Sequence, residues 1–316
     1  METRRIGSLE VSLVGLGCNN FGRRLDAEAT TAVVEAALDA GITFFDTADV
    51  YGATQSEELL GRALGKRRRD VVVATKFGNP IDERRRGAKP AYVRSAVEES
   101  LRRLGTDRID LYQLHRPDPE TPIGDTLEAL DALRRAGKVR EIGISNASVE
   151  QLAEAADAAS RAGSARFVSL QNQYSLLERA PEQGVLAEAR RGGLAFLPYF
   201  PLASGLLTGK YRRGEPPPAG TRLAQPGGRD PSRFLNDRNL EIVDRLSSFA
   251  TSRGHTVLDL AISWLAAQVP VASVIAGATT PAQVRANVAA VGWRLTADDL
   301  TAIDALAPAV PAARAA

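Results

Sequence analysis

Short apolar runs alternate with longer amphipathic stretches along almost the whole chain. The runs fall at 13–17, 42–46, 71–75, 109–114, 139–144, 167–171, 194–199 and 272–275, and their length predicts strands. Between them, apolar positions return at helical spacing near 26–40, 56–65, 90–104, 124–136, 148–162, 181–191 and 256–268, with an eighth helix at 281–290. Asp26, Ser56 and Ser148 suit N-caps, and Gly41, Gly65, Gly105 and Gly137 suit C-terminal stops. Strand–helix alternation is the pattern of parallel sheet. Eight such units predict an α/β fold, a (β/α)8 TIM barrel. A doubly wound open sheet shares the local pattern. The first strand, however, runs into GLGCNNFG, which does not spell the dinucleotide fingerprint GxGxxG.

Three segments stand outside this alternation. Residues 4–12 read as an N-terminal β-hairpin, RRI and LEV around a Gly7-Ser8 turn, placed to plug the bottom of the barrel. Residues 212–233, RRGEPPPAGTRLAQPGGRDPSR, carry too much Pro, Gly and Arg to bury a core. They predict a long mobile loop after strand 7, on the face where barrel active sites lie, either as a lid over cofactor or as a passive insertion. Helices fit 237–253 and 296–306, and the Ala-rich tail 308–316 is expected to fray. With no repeat beyond the βα unit, 1–316 reads as a single domain.

Composition narrows the partners. The 40 basic and 38 acidic residues nearly cancel, so there is no general pull toward nucleic acid or membrane. The Arg-rich clusters at 66–69 and 84–86 read as solvated surface. Cys18 alone cannot form an intrachain disulfide. METRRIGSLE has no apolar core for a secretory signal, and no apolar run approaches about 18 residues. A cytoplasmic protein is expected. Two His and one Cys leave little for a dedicated transition-metal site, so no metal is expected.

The chemistry lies where the runs end. Asp46 closes Ile42-Thr43-Phe44-Phe45, Lys76 closes Val71-Val72-Val73-Ala74-Thr75, and His115 closes Ile109-Asp110-Leu111-Tyr112-Gln113-Leu114. Tyr51 lies five residues beyond Asp46. Neighbouring parallel strands would bring all four to one mouth. A Tyr is a poor acid at neutral pH, and an adjacent ammonium lowers its pKa. An Asp paired to the Lys fixes that charge, and a His orients a carbonyl or relays a proton. His255 reads as a surface or turn residue, and Trp264 and Trp293 as structural, with Trp264 on the apolar face of a helix.

DTADVYG (46–52), VVVATKFG (71–78), IDLYQLHRPDP (109–119), IGISNAS (142–148), LQNQYSLL (170–177), PYFPLASGLLTGKY (198–211) and IAGATTPAQVRAN (275–287) follow one another in order. The chain thereby resembles the aldo-keto reductase superfamily, in the branch of bacterial members and channel β-subunit-like members. The resemblance implies an NADPH-dependent oxidoreductase that reduces an aldehyde or ketone to an alcohol. It implies that Tyr51 donates the proton, Lys76 and Asp46 tune it, and His115 orients the carbonyl. It implies that Ser145, Asn146, Gln171 and Tyr199 grip the nicotinamide. Pro201, Leu202, Ser204, Gly205, Leu206 and Lys210 would wrap the pyrophosphate and reach the 2′-phosphate. Gly277, Thr279, Gln283 and Asn287 would hold the adenosine end, at a helix N-terminus.

Departures from the family's pattern bear on the cofactor. Gly277-Ala278-Thr279-Thr280 stands where some members carry Lys or Arg, Ala286 where an acid often meets adenine, and Phe200 where Ser is frequent. Lys210 and a loop Arg such as Arg222 would pair with a 2′-phosphate, favouring NADPH (NADP+) with NADH as the alternative. Phe21, Val50 and Phe77 are expected at the mouth, giving a partly apolar pocket for a small carbonyl compound; sugar, steroid and polyketide fragment stay open. Cys18 is expected near the cofactor, as a small packed side chain or a redox group. The branch includes oligomers, so a homo-oligomer is a candidate state. The rival readings are a cofactor-binding regulatory subunit and a non-redox barrel enzyme using Tyr51 or Lys76 as base.

Overall fold

The computed structural model describes residues 1–224 and 230–309, the side chain of Arg233 excepted. Part of the expected 212–233 loop and most of the expected frayed tail, 310–316, lie outside the described residues. The chain opens with an antiparallel hairpin, β1 (Thr3–Ile6) and β2 (Leu9–Ser12). Eight parallel strands follow: β3 (Val14–Gly17), β4 (Phe44–Asp46), β5 (Val72–Phe77), β6 (Ile109–Leu114), β7 (Val139–Ser145), β8 (Ser169–Gln171), β9 (Ala195–Phe196) and β10 (Val274–Gly277). The helices are α1 (Ala27–Asp39), α2 (Gln55–Leu64), α3 (Pro90–Leu104), α4 (Ile123–Arg135), α5 (Val149–Ala162), α6 (Val185–Arg191), α7 (Asp237–Thr251), α8 (Val257–Ala266), α9 (Pro281–Ala289) and α10 (Ala297–Leu306).

The strands run in sequence order from β3 to β9, with β10 beside β3. Two parallel bridges, Phe196↔Val271 and Tyr199↔Ile275, join β9 to the segment entering β10 and to β10 itself. That curls the sheet into a (β/α)8 barrel rather than an open doubly wound sheet. The core has two shells. Phe44, Val72, Ala74, Leu111, Leu197, Ala272 and Ile275 cluster inside, together with Ile6, Leu9 and Val11 of the hairpin, which plugs one end as expected. The other strand face packs against the helices in a larger cluster that includes Val73, Phe77, Tyr112 and Ile144. Burial on both faces explains why the strands read as continuous apolar runs.

The inner shell also aims the chemistry. Side chains alternate faces along a strand. The parity that puts Phe44 inside carries Asp46 to the barrel mouth, Val72 and Ala74 lead to Lys76, and Leu111 leads through Gln113 to His115. The register sets Asp46 opposite Ala74 and Lys76 opposite Gln113, so these ends are neighbours.

Several elements depart from expectation. Ser56 is no N-cap: α2 begins at Gln55, after Ala53 and Thr54 at positive φ (52° and 76°). Ser56 is instead buried, donating to the Cys18 carbonyl (2.9 Å) and sharing a hydrogen bond with Thr47 Oγ1 (2.8 Å). The 181–191 stretch splits at Gly184 into a 3-10 turn, Ala180–Gln183, and α6. The seventh barrel strand ladders only over Ala195–Phe196, and Tyr199 stands beyond it, held by isolated bridges. Asp26 and Ser148 do cap their helices, Ser148 in a reciprocal capping box with Gln151.

Candidate active site

A cavity of about 1260 Å³ opens at the carboxyl ends of the strands, where barrel active sites form. Asp46, Tyr51 and His115 line it, with Lys76 fully buried behind them. Lys76 Nζ donates to Asp46 Oδ2 (2.6 Å) and to the Thr47 carbonyl (2.8 Å), and lies 5.1 Å from the centre of the Tyr51 ring. The Tyr51 and His115 rings meet edge to face, 5.7 Å apart. Asp46 Oδ1 accepts from Gln113 Nε2 (3.2 Å) and Gln171 Nε2 (2.9 Å). Three strands, β5, β6 and β8, thus pin one carboxylate, and an ion pair buried this deeply holds only with its remaining lone pairs satisfied.

The electrostatics follow from burial and charge. Burial works against the Lys76 cation, but Asp46 and Tyr51 outweigh it and hold its pKa above the ordinary lysine value. Burial raises the Tyr51 pKa, and the Lys76 ammonium only partly offsets this. The expectation of a net lowered Tyr pKa is therefore corrected: the ammonium acts in the expected direction, and desolvation exceeds it. Burial, then the charges of Lys76 and Arg116, push His115 well below its usual value, so the imidazole is neutral. Its Nδ1 has no hydrogen-bond partner among the described residues. Burial likewise holds the Cys18 thiol protonated, packed at the cavity wall where it was expected.

Behind Tyr51 lies a second buried cluster. Asp49 Oδ2 accepts from Tyr92 (3.3 Å), and its Oδ1 has no partner among the described residues. Burial and the nearby Glu57 charge push its carboxyl up to about 7, against the pull of Arg103. Glu57 accepts from Arg103 Nε and from Thr75 Oγ1, both at 2.6 Å.

The residues expected to hold a nucleotide mostly share this cavity. Ser145, Asn146, Gln171, Tyr199, Pro201, Leu202, Ser204, Gly205, Lys210, Gly277, Thr279, Gln283 and Asn287 all line it. Asn146, at φ 58°, donates to the His115 carbonyl (2.9 Å) and accepts from the Tyr199 hydroxyl (2.7 Å), which fixes the Tyr199 ring. Leu206 is the exception: its side chain is buried in the outer core and does not line the cavity. Phe200, Ala203 and Ser204 take positive φ, backbone strain of the kind that collects at binding sites, and Gly205 follows them at positive φ without that cost. Ser204 Oγ is buried without a partner among the described residues.

Lys210 sits near Arg24 and Arg222, and burial followed by these two charges lowers its pKa. Such a knot of cations calls for an anion. The segment expected to bury nothing contributes here: Leu223 is buried in the core, Arg24 donates to the Gly220 carbonyl (2.8 Å), and residues 219–222 line the cavity. These residues fit a nucleotide with phosphates.

The mouth is less apolar than expected. Val50 lines it, but Phe21 and Phe77 are fully buried in the outer shell, Phe77 stacked on Tyr112 at 4.7 Å. Asn19, Asn20, Asn79, Arg116 and Gln173 stand there instead. Sequence reasoning passed over these and over Gln113. Strand parity was the available signal for Gln113 and against Phe77, since each lies one residue from Lys76 or Leu114 and so on a set face. Among the described residues, no three His, Cys, Asp or Glu side chains group as metal ligands, and no helix is long and apolar enough to cross a membrane.

Known proteins resemble this chain over most of its length. The model of the aldo/keto reductase family matches residues 13–308. The aldo-keto reductase YhdN of Bacillus subtilis is 37% identical over 303 residues, 92% of this chain and 88% of its own. Aldo-keto reductase yakc of Schizosaccharomyces pombe, whose name specifies NADP(+), is 35% identical over 85% of this chain and 80% of its own. A probable voltage-gated potassium channel subunit beta of Oryza sativa is 34% identical over 92% and 91%. Among solved structures, the glycerol dehydrogenase AKR11B4 of Gluconobacter oxydans superposes with a TM-score of 0.83 at 33% identity, covering 99% of this chain and 98% of that one.

Proposed function

The chain belongs to the aldo/keto reductase family, and from that premise we propose that it reduces an aldehyde or ketone to the alcohol with NADPH, Tyr51 giving the proton. The observation that carries this reading is the buried Lys76–Asp46 pair set directly behind the Tyr51 ring and beside a neutral His115. Bound nicotinamide supplies the hydride, and the chain's own residues supply the rest.

A phenol whose pKa is held up by burial keeps its proton at neutral pH. It therefore meets the carbonyl oxygen as a donor. As that oxygen gains electron density, the proton passes from Tyr51, and the phenolate left behind is stabilised by the Lys76 cation. Asp46 and the Thr47 carbonyl hold that cation in place. A neutral imidazole offers His115 as an orienting hydrogen-bond donor without adding a charge that would repel Lys76.

For the cofactor, Asn146 and Gln171 offer amides to the nicotinamide, and Tyr199 offers a fixed ring against it. The cation knot of Lys210, Arg24 and Arg222 supports the choice of NADPH over NADH, because only NADPH brings the extra 2′-phosphate.

The test is NADPH oxidation with a panel of aldehydes and ketones, wild type beside Tyr51→Phe, with cofactor affinity measured by fluorescence titration. Wild type should turn over, and the variant should bind NADPH normally but lose about 10²–10⁴-fold in turnover. A variant that turns over like wild type would remove Tyr51 from the donor role.

A further inference from the structure

The cavity wall is lopsided in charge. Arg23, Arg24, Arg116, Lys210 and Arg222 face a single carboxylate, Asp46, which Lys76 already neutralises. Four of these cations belong to one pole: Arg24 feels the charge of Arg23, and Lys210 feels Arg24 and Arg222. The cofactor's phosphates account for them. Arg116 belongs to the other pole. It follows His115 in sequence, and its charge acts on that imidazole. The nicotinamide end of the cofactor carries a neutral carboxamide there, so the cofactor offers Arg116 no anion.

Arg116 is also held ready. Its side chain is exposed and makes no hydrogen bond or ion pair among the described residues. The backbone just beyond it is pinned by Asp118, which accepts from Ala88 N (2.8 Å), Glu120 N (3.0 Å) and Thr121 Oγ1 (2.7 Å). The nearby carboxylate of Glu120 is engaged elsewhere, facing Arg86 and Lys89. Asn79 leaves β5 as Arg116 leaves β6, each two residues beyond the Phe77↔Leu114 pair, and both line the cavity. One planar guanidinium beside one neutral amide matches a singly charged, planar anion, whereas a phosphate dianion would call for a second cation.

We propose that the carbonyl substrate carries a carboxylate and that Arg116, with Asn79 beside it, binds that group. This rests on the carbonyl-reductase reading above and names its substrate class.

The test uses matched pairs: succinic semialdehyde and para-carboxybenzaldehyde, each beside its methyl ester, with wild type, Arg116→Gln and Arg116→Lys. In wild type, at least one acid should exceed its ester by about tenfold or more in kcat/KM, mainly through KM, as a charge-assisted hydrogen bond provides. The ratio should fall to near one in R116Q and recover in part in R116K. Acid and ester meet the same His115 and Tyr51, so the ratio cancels any change that Arg116 causes at the imidazole. Esters reduced as well as acids, or an acid preference that survives in R116Q, would overturn the carboxylate site and leave the reductase reading standing. If neither acid nor ester is reduced, and the wider aldehyde and ketone panel gives no turnover either, the reductase reading falls, and calorimetry with para-hydroxymethylbenzoate and its methyl ester decides the rest. Acid-selective binding lost in R116Q keeps the carboxylate site; no such difference removes it.

Discussion

At Asp49, two residues before Tyr51, burial decides what a carboxyl does. The folded chain holds its proton to about pH 7, because the group is buried beside Glu57 and only one of its oxygens has a partner among the described residues. An unfolded chain gives up that proton near the ordinary Asp value of 3.8. Between these limits the native state binds more protons, so the stability Asp49 contributes is fully present below the unfolded value and is lost as pH rises through about 7. The gap is worth on the order of 4 kcal/mol at most. Asp49→Asn removes the titration. Its Tm relative to wild type should therefore rise between about pH 5 and about pH 8; a difference that stays flat would show that Asp49 is already ionised in the fold. At this scale much of the site was legible. Asp46, Lys76 and His115 each end an apolar run, and Tyr51 sits in the turn just after one. The direction of the Tyr51 pKa was not, because desolvation is set by what the rest of the chain packs around the ring. Strand parity set the face of Gln113, but no local pattern joined it or Gln171 to Asp46, from which they lie 67 and 125 residues away in sequence.

Among the elements, α2 carries the most constraint for its length. It follows the Tyr51 turn, holds Glu57 against Arg103 of α3, and presses Gly61 against the end of that same helix. A Cβ added at Gly61 would lie 2.4 Å from the Leu104 carbonyl oxygen. Helix propensity alone favours Ala over Gly by about 1 kcal/mol. Overpacking against fixed backbone costs about 1–3 kcal/mol, so the clash wins. Gly61→Ala should lower Tm, and a raised Tm would mean that α2 and α3 slide apart freely. Helix ends were readable where a side chain caps the helix, as at Asp26 and Ser148. They were not readable at Ser56, where two non-glycine residues at positive φ set the start of α2 and free the serine for buried hydrogen bonds. The short β9 escaped for a related reason. The apolar run continues to Tyr199, but the backbone leaves the ladder early to build the cavity wall.

Over the whole molecule, alternation of strand and helix pointed to parallel sheet, while barrel and open sheet remained equivalent in local pattern. The bridges from Phe196 and Tyr199 to the β10 side separate them, and no run of neighbouring residues encodes those contacts. The cavity they help enclose draws on loops after β3, β9 and β10, so a ligand there should stabilise the entire fold. A ligand that binds only the native state raises stability by RT ln(1 + [L]/Kd). NADPH should therefore raise Tm more than NADH at equal concentration. Lys210→Ala should shrink that gap, since Lys210 with Arg24 and Arg222 forms the cation knot. Equal losses for both nucleotides would take Lys210 out of 2′-phosphate recognition.

The hairpin that plugs the barrel sets an order of events during synthesis. Ile6, Leu9 and Val11 are made long before Leu197, Ala272 and Ile275, with which they pack. At an elongation rate of about 5–20 residues per second, those first apolar side chains wait roughly 13–50 s for their last partners. The hairpin therefore lacks its last partners for most of the time between its own synthesis and that of β10, so the barrel floor closes late.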